Sequence, residues 1–180
     1  MNRIQITGAT IGTNELIPMT RRYPKLPHKV LYRDSKIAKR IIEAWDSEHD
    51  PEKVLSIFLK EHKNLSDERY WELMRSVWIV TGNIKHAGIF RKLMQANRRN
   101  KYYFSTPEEA EKLRNLPESI EVYRATNDKN DDGLSWTISK DYANRYAREF
   151  NKKLIITKTV NKSDVFAFIN RNKEEEIILL

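Results

Sequence analysis

The chain has 180 residues, 39% of them apolar and 32% charged, with no cysteine and a formal net charge of +8. Such a composition excludes a disordered or fibrous protein, and the length allows one hydrophobic core of ordinary size or two small ones. The absence of cysteine excludes a disulfide frame, a thiolate nucleophile and a cysteine metal knuckle.

No run approaches the ~20 apolar residues that cross a bilayer. The opening MNRIQITGATIGTNELIP has no apolar stretch flanked by a basic start and a small-residue cleavage site, so it does not have the pattern of a secretory leader. These features predict a cytoplasmic protein with no membrane partner. The charge is unevenly placed. Residues 1–102 hold 20 Lys/Arg and 11 Asp/Glu, whereas residues 103–180 hold 13 and 14, so the excess basicity lies in the first portion. A basic portion attracts an acidic partner, either nucleic acid or an acidic protein face, or else serves solubility.

In chain order, the first ~30 residues hold three of the six prolines and a basic pair at Arg21–Arg22, which predicts an irregular arm. Ser35 can cap a helix whose apolar face is Ile37, Ile41, Ala44 and Trp45. Asp50-Pro51 is a cap followed by proline at the first helical position, leading into Val54, Leu55, Phe58 and Leu59. Ser66-Asp67-Glu68 opens a third helix with Tyr70, Leu73, Met74, Val77 and Trp78 at three-four spacing. After Gly82-Asn83 a fourth carries Ala87, Phe90, Leu93 and Met94. One apolar stripe on each predicts a small bundle.

From about residue 103 the pattern changes. Thr106-Pro107-Glu108-Glu109 is a capping box opening a short helix to about Leu113. Period-two runs then predict strands over Ile120–Arg124 and Leu134–Ile138. Ser139 caps a helix with Tyr142, Ala143, Tyr146, Ala147 and Phe150 on one face. Strands follow over Leu154–Val160, Val165–Ile169 and Glu176–Leu180. Helices first and strands later predict an α+β protein: a basic helical region over 1–102, packed on a small split β-sheet core over 103–180.

Three features of the second portion bear on chemistry. Arg124 ends a strand before the polar loop Asn127–Gly133, where a planar guanidinium can hold a phosphate through two oxygens. Ser135 and Thr137 fall on one face of a strand and Trp136 on the other, so the indole is expected in the core whatever the hydroxyls do. Glu174-Glu175-Glu176 leads into Ile177-Ile178-Leu179; if the strand begins by residue 174, Glu174 and Glu176 share a side. Two such carboxylates can divide labour, one stabilising positive charge and one taking a proton. Each feature also has a plain structural alternative: a surface arginine, a half-buried strand and a solvated acidic run.

Taken in order, VYRAT (122–126), GLSWTIS (133–139) with the DYANRYAREF helix after it, and DVFAFINRNKEEEIILL (164–180) resemble the ADP-ribosyltransferases. The resemblance is to the arginine–serine–glutamate branch, which includes many bacterial toxins and phage enzymes. It spans roughly residues 103–180, and Ser-Trp-Thr stands where Ser-Thr-Ser is commoner. It implies a mono-ADP-ribosyltransferase that uses NAD as substrate. Arg124 would contact the NAD phosphates or the nicotinamide ribose. Ser135 and Thr137, with Tyr142 and Tyr146 on the following helix, would line the nicotinamide site, and Ser135 would hold the catalytic carboxylate. Glu176 would stabilise the cationic sugar and Glu174 would activate the acceptor, while Asn170–Glu175 would meet the target. The favoured target is a protein arginine, with nucleic acid as the alternative acceptor. No metal is expected, because His28, His49, His62 and His86 have no ligand spacing. There is no G-x-G-x-x-G, so a Rossmann domain is not expected. A catalytically inactive binding module of the same fold, or a basic helical protein that binds nucleic acid or protein, stays open beside this.

Overall fold

The computed structural model describes residues 26–81, 84–129, 131 and 133–180. The expected arm, apart from its last residues, and the Gly82-Asn83 break lie outside the described residues. The described residues form two compact units: 26–81 with 97–104, and 84–96 with the described part of 105–180. The expected boundary at residue 102 thus falls inside a 3-10 turn, Lys101–Phe104, that belongs to the first unit.

Among the described residues, three α-helices build the first unit: α1 (His28–Glu48), α2 (Pro51–Glu61) and α3 (Asp67–Thr81). Helix α1 starts seven residues before the expected cap at Ser35. Its N-cap is Pro27, which makes no side-chain cap bond, and burial of Ile37, Ile41, Ala44 and Trp45 sustains it instead. Helix α2 begins as its sequence predicts, with the Asp50 carboxylate accepting from the Glu52 and Lys53 backbone N–H groups. Helix α3 has more than an apolar stripe, since Glu68, Glu72 and Arg75 are buried along with Tyr70, Trp71, Leu73 and Met74. Buried charge is tolerated only with partners. Asn100 donates to Glu68 at 2.7 Å and Arg69 donates to Glu72 at 3.2 Å. The Trp71 indole N–H is taken by the Arg99 carbonyl at 2.8 Å. Arg98 donates to the carbonyls of Leu65 and His62 and to Asp67, and lies 4.3 Å from the Tyr70 ring centre.

The fourth helix, α4 (Ala87–Met94), groups with the second unit, which corrects the expected bundle of four. That unit also holds α5 (Pro107–Asn115), α6 (Lys140–Glu149) and one antiparallel sheet. Its strands are β1 (Ser119–Thr126), β2 (Ser135–Thr137), β3 (Leu154–Asn161), β4 (Val165–Ile169) and β5 (Glu176–Leu179), in the order β3-β1-β2-β5-β4. The fold class is α+β. Strand β1 runs to Thr126 because β3 pairs with it throughout, so Arg124 lies inside the strand and not at its end. Strand β2 is three residues long, registered on β1 at Tyr123–Thr137 and on β5 at Ser135–Ile178, Trp136–Ile177 and Thr137–Glu176.

Paired residues point to the same side of an antiparallel sheet. One side therefore carries Trp136 with Ile177, and these join Ile120, Val122, Phe168 and Leu179 in the core. The other side carries Ser135, Thr137 and Glu176. Helix α6 packs against β1, β2 and β3, and the Ser139 hydroxyl caps it by accepting from Tyr142 N–H at 3.1 Å. Helix α5 packs on β4 behind a complete capping box: Thr106 Oγ1 accepts from Glu109 N–H, and Glu109 Oε2 accepts from Thr106 N–H. The same buried carboxylate has a second task. Its Oε1 accepts from the backbone N–H of Asn170, at the far end of β4.

That double duty separates two variants. Thr106→Ala is expected to cost about 1 kcal/mol, as for other cap deletions. Glu109→Ala also strips the Asn170 amide and is expected to cost about 2–3 kcal/mol. Urea midpoints at constant m measure both. Equal costs would show that the Asn170 bond contributes nothing.

Candidate active site

The two strands that meet at Thr137–Glu176 bring the predicted residues together. Ser135 Oγ donates to Glu176 Oε1 at 2.5 Å, across 41 residues of sequence. Two positions along the same face, Thr137 Oγ1 donates to the Glu174 carbonyl at 2.7 Å and accepts from Ser139 N–H at 3.0 Å. The first hydroxyl therefore holds a side chain, and the second holds the backbone just before β5. Glu174, Glu176 and Thr137 are buried, while Ser135 and Arg124 keep partial exposure.

Arg124 joins from β1. Its Nη1 donates to the Ser135 carbonyl at 2.6 Å and its Nε donates to Asp131 Oδ2 at 2.9 Å. Asp131 is a residue that the sequence did not single out. Its other oxygen accepts from Gly133 N–H at 2.8 Å, closing a tight turn ahead of β2. Burial pushes the Asp131 carboxyl up. Hydrogen bonds from Arg124, Thr126 and Gly133 outweigh that and hold it below the usual carboxylate range. Gly133 is needed for space and not for its backbone angle. A Cβ there would sit 2.1 Å from Arg124 Nη2 and 2.3 Å from its Cζ.

Glu174 arrives by a different route from the one expected. The strand begins at Glu176, and Glu174 follows a 3-10 turn, Arg171–Lys173. Asn172, Lys173 and Glu175 all have left-handed backbone, with φ of 52°, 61° and 45°. Simple alternation therefore does not set the direction of Glu174. Its partner is Arg171, whose Nη2 lies 3.4 Å from Glu174 Oε1. Arg171 is a second residue missed in the sequence, where a lone arginine after a strand carries no signal. The Glu175 carbonyl accepts from Ile138 N–H at 3.1 Å, so the turn docks on the end of β2.

Tyr142 and Tyr146, one turn apart on α6, complete the group. Burial is the main cause that pushes the Tyr142 phenol up, and the charges of Glu174, Tyr146 and Glu176 add to it while Arg171 opposes. Burial also raises Tyr146, with Glu174, Glu149 and Glu176 adding to it and Arg124 opposing. Both phenols therefore stay protonated at neutral pH and face two carboxylates as neutral donors. Arg145 also lies over the Tyr142 ring, 5.1 Å from its centre, so guanidinium groups and carboxylates are both close to the phenols. Among the described residues no three His, Asp or Glu side chains are grouped to hold a metal ion.

Searches against family models, curated proteins and solved structures find nothing that matches the chain.

Two outcomes follow from the Arg124 geometry. Gly133→Ala is expected to push the guanidinium off the Ser135 carbonyl and cost about 1–3 kcal/mol, the usual value of charged hydrogen bonds. A crystal structure of the variant with Arg124 unmoved would contradict this. A carboxyl held below its unfolded value stabilises the fold above that value and loses this as pH falls through the folded value. The Asp131 carboxyl resonance should therefore titrate below the midpoint of an unperturbed Asp (~3.9), and the fold should lose stability as pH falls through that transition. A midpoint above 4 would break the pair as described.

Proposed function

We propose that the second unit binds NAD, breaks its nicotinamide–ribose bond and transfers ADP-ribose to a macromolecular acceptor, with a protein arginine favoured. In this scheme the bond between nicotinamide and ribose C1′ breaks and nicotinamide leaves as a neutral base. Glu176 lowers the energy of the oxocarbenium-like sugar left behind, as a carboxylate does in glycoside cleavage. Ser135 fixes that carboxylate through the 2.5 Å bond. Arg124 has N–H groups beyond the two it commits, and these would meet the phosphates or the nicotinamide ribose. Thr137, Tyr142 and Tyr146 would line the nicotinamide end. An acceptor nitrogen would attack C1′ and pass its proton to Glu174.

The observation that carries the proposal is the pairing of Ser135 and Glu176 on neighbouring strands, with both α6 phenols beside the two glutamates. The single registered pair between β1 and β2 also supports a sheet of the split ADP-ribosyltransferase type. The Arg171–Glu174 contact favours an arginine acceptor, since that carboxylate already accommodates a guanidinium. An acceptor guanidinium would meet the same oxygens.

The test is nicotinamide release from NAD, followed by proton NMR, with and without acceptor protein. Glu176→Gln keeps the size of the side chain and the bond from Ser135, and is expected to slow release about 10²–10³-fold. Unchanged release would end the assignment. Glu174→Gln should keep release into water but lose labelling of protein; equal loss of both would remove the division of labour. No release by the wild-type chain would leave a binding module on this fold.

A further inference from the structure

The outward face of α1 carries a charge pattern that folding does not explain. Between His28 and Arg40 the helix holds Lys29, Arg33, Lys36, Lys39 and Arg40, all exposed, and one acid, Asp34. Asp34 is buried and turned away, accepting from the Ser66 hydroxyl and backbone N–H. From Ile41 to Glu48 the pattern reverses to three acids and no Lys or Arg. The basic half is thus the N-terminal half, and Lys29 lies in the first turn, where acids, not bases, stabilise. Lys29–Arg33, Arg33–Lys36 and Lys36–Arg40 are also like-charge neighbours at three-four spacing, which costs further stability. At 3.6 residues per turn these five cations and Tyr32 fall within an arc of roughly 120°, along about 18 Å of helix. Ion pairs relieve part of the charge, with Arg40 on Glu61 at 2.7 Å, Lys39 on Glu43 at 3.6 Å and Arg33 on Asp34 at 3.6 Å. Lys29 and Lys36 stay in solvent.

Tyr32 stands among them, 66% exposed. An aromatic ring flanked by cations is what an unpaired base requires: the ring supplies a stacking face and the cations hold the backbone phosphates. An acidic protein surface would use the cations but gain little from a free ring, and a membrane would need a wider apolar face than Tyr32 and Leu31 provide. We propose that this face of α1 binds single-stranded nucleic acid. The proposal stands without the NAD chemistry, which resides in the other unit.

The full-length chain should bind a fluorescein-labelled 20-mer of deoxythymidine or uridine in an anisotropy titration. Three to five phosphate contacts on a single strand predict a roughly 20- to 100-fold loss of affinity between 50 and 200 mM salt. Lys29→Glu with Lys36→Glu should weaken binding at least tenfold at fixed salt. Because Lys29→Glu places acid in the first turn and Lys36→Glu turns like-charge contacts with Arg33 and Arg40 into opposite-charge ones, the thermal midpoint should hold or rise, so loss of binding is not loss of fold. Tyr32→Ala should weaken binding to the single strand about tenfold, as removal of a stacking ring does, with little effect on a 20-base-pair duplex. Unaltered affinity in the double variant would overturn the proposal. So would no binding at 50 mM salt, equal loss of duplex and single strand in Tyr32→Ala, or binding to anionic phospholipid vesicles but not to the oligonucleotide.

Discussion

The hydrogen bond from Ser135 to Glu176 exists because a three-residue strand sits in one register and no other. Side chains alternate along β2, so a slip of one residue would put Trp136 among the carboxylates and both hydroxyls into the core. Three residues supply few ladder bonds to prevent this. The indole supplies the rest: Trp136 is buried with Ile177 and Phe168, and its N–H is taken by the Gly133 carbonyl at 2.7 Å. Moving it outward would expose one of the largest apolar surfaces in the unit. The Trp136 side chain thus fixes where the Ser135 and Glu176 oxygens stand.

A second constraint acts just before β5. Glu174 and Glu176 are two buried acids two residues apart, and mutual repulsion and lost hydration both oppose such a pair. Three residues in the left-handed region lie in the same stretch, each costing roughly 1 kcal/mol or more, somewhat less for Asn172. Such a turn persists only when its surroundings over-determine it. Thr137 and Ile138 hold its last carbonyls, Glu109 holds the amide at its start, and Arg171 holds Glu174 from within. Three of the six left-handed residues among the described ones fall in the turn that presents the two carboxylates, a concentration expected where geometry is set by more than stability.

Local chemistry was the legible part. Asp50-Pro51, the Thr106–Glu109 box and Ser139 each act on backbone within three residues, and each helix starts where its cap stands. The period of two located all five strands, and the Ser-x-Thr spacing set both hydroxyls opposite the indole. What failed depended on distance. Ser35 has the right chemistry for a cap, but burial of α1 against its neighbours carries the helix back to His28. Nothing near Glu72 signals that it is buried, because its setting comes from residues about thirty positions away. Glu174 appeared to continue a strand, but its own helical backbone and the positive φ of Glu175 break the alternation. Gly133 and Asp131 matter solely because the Arg124 side chain lies across them, and that contact has no period to detect.

The failures are not spread evenly, and their placement is informative. A sequence that specifies one fold has local preference and tertiary demand in agreement, and natural chains depart from this mainly where something other than folding is selected. Caps, ladders and the Trp136 core agree at every level. Disagreement concentrates in two places. One is the turn that delivers Glu174 and Glu176, where backbone and charge are both unfavourable. The other is the first half of α1, where five cations crowd one side of the helix at like-charge spacing. Each conflict is relieved only in part, by Arg171 on Glu174 in the turn and by ion pairs such as Arg40 with Glu61 on α1. Both face outward or toward a half-exposed group of polar side chains. The energetic tension therefore marks the same two regions that the chemistry of the side chains selects independently.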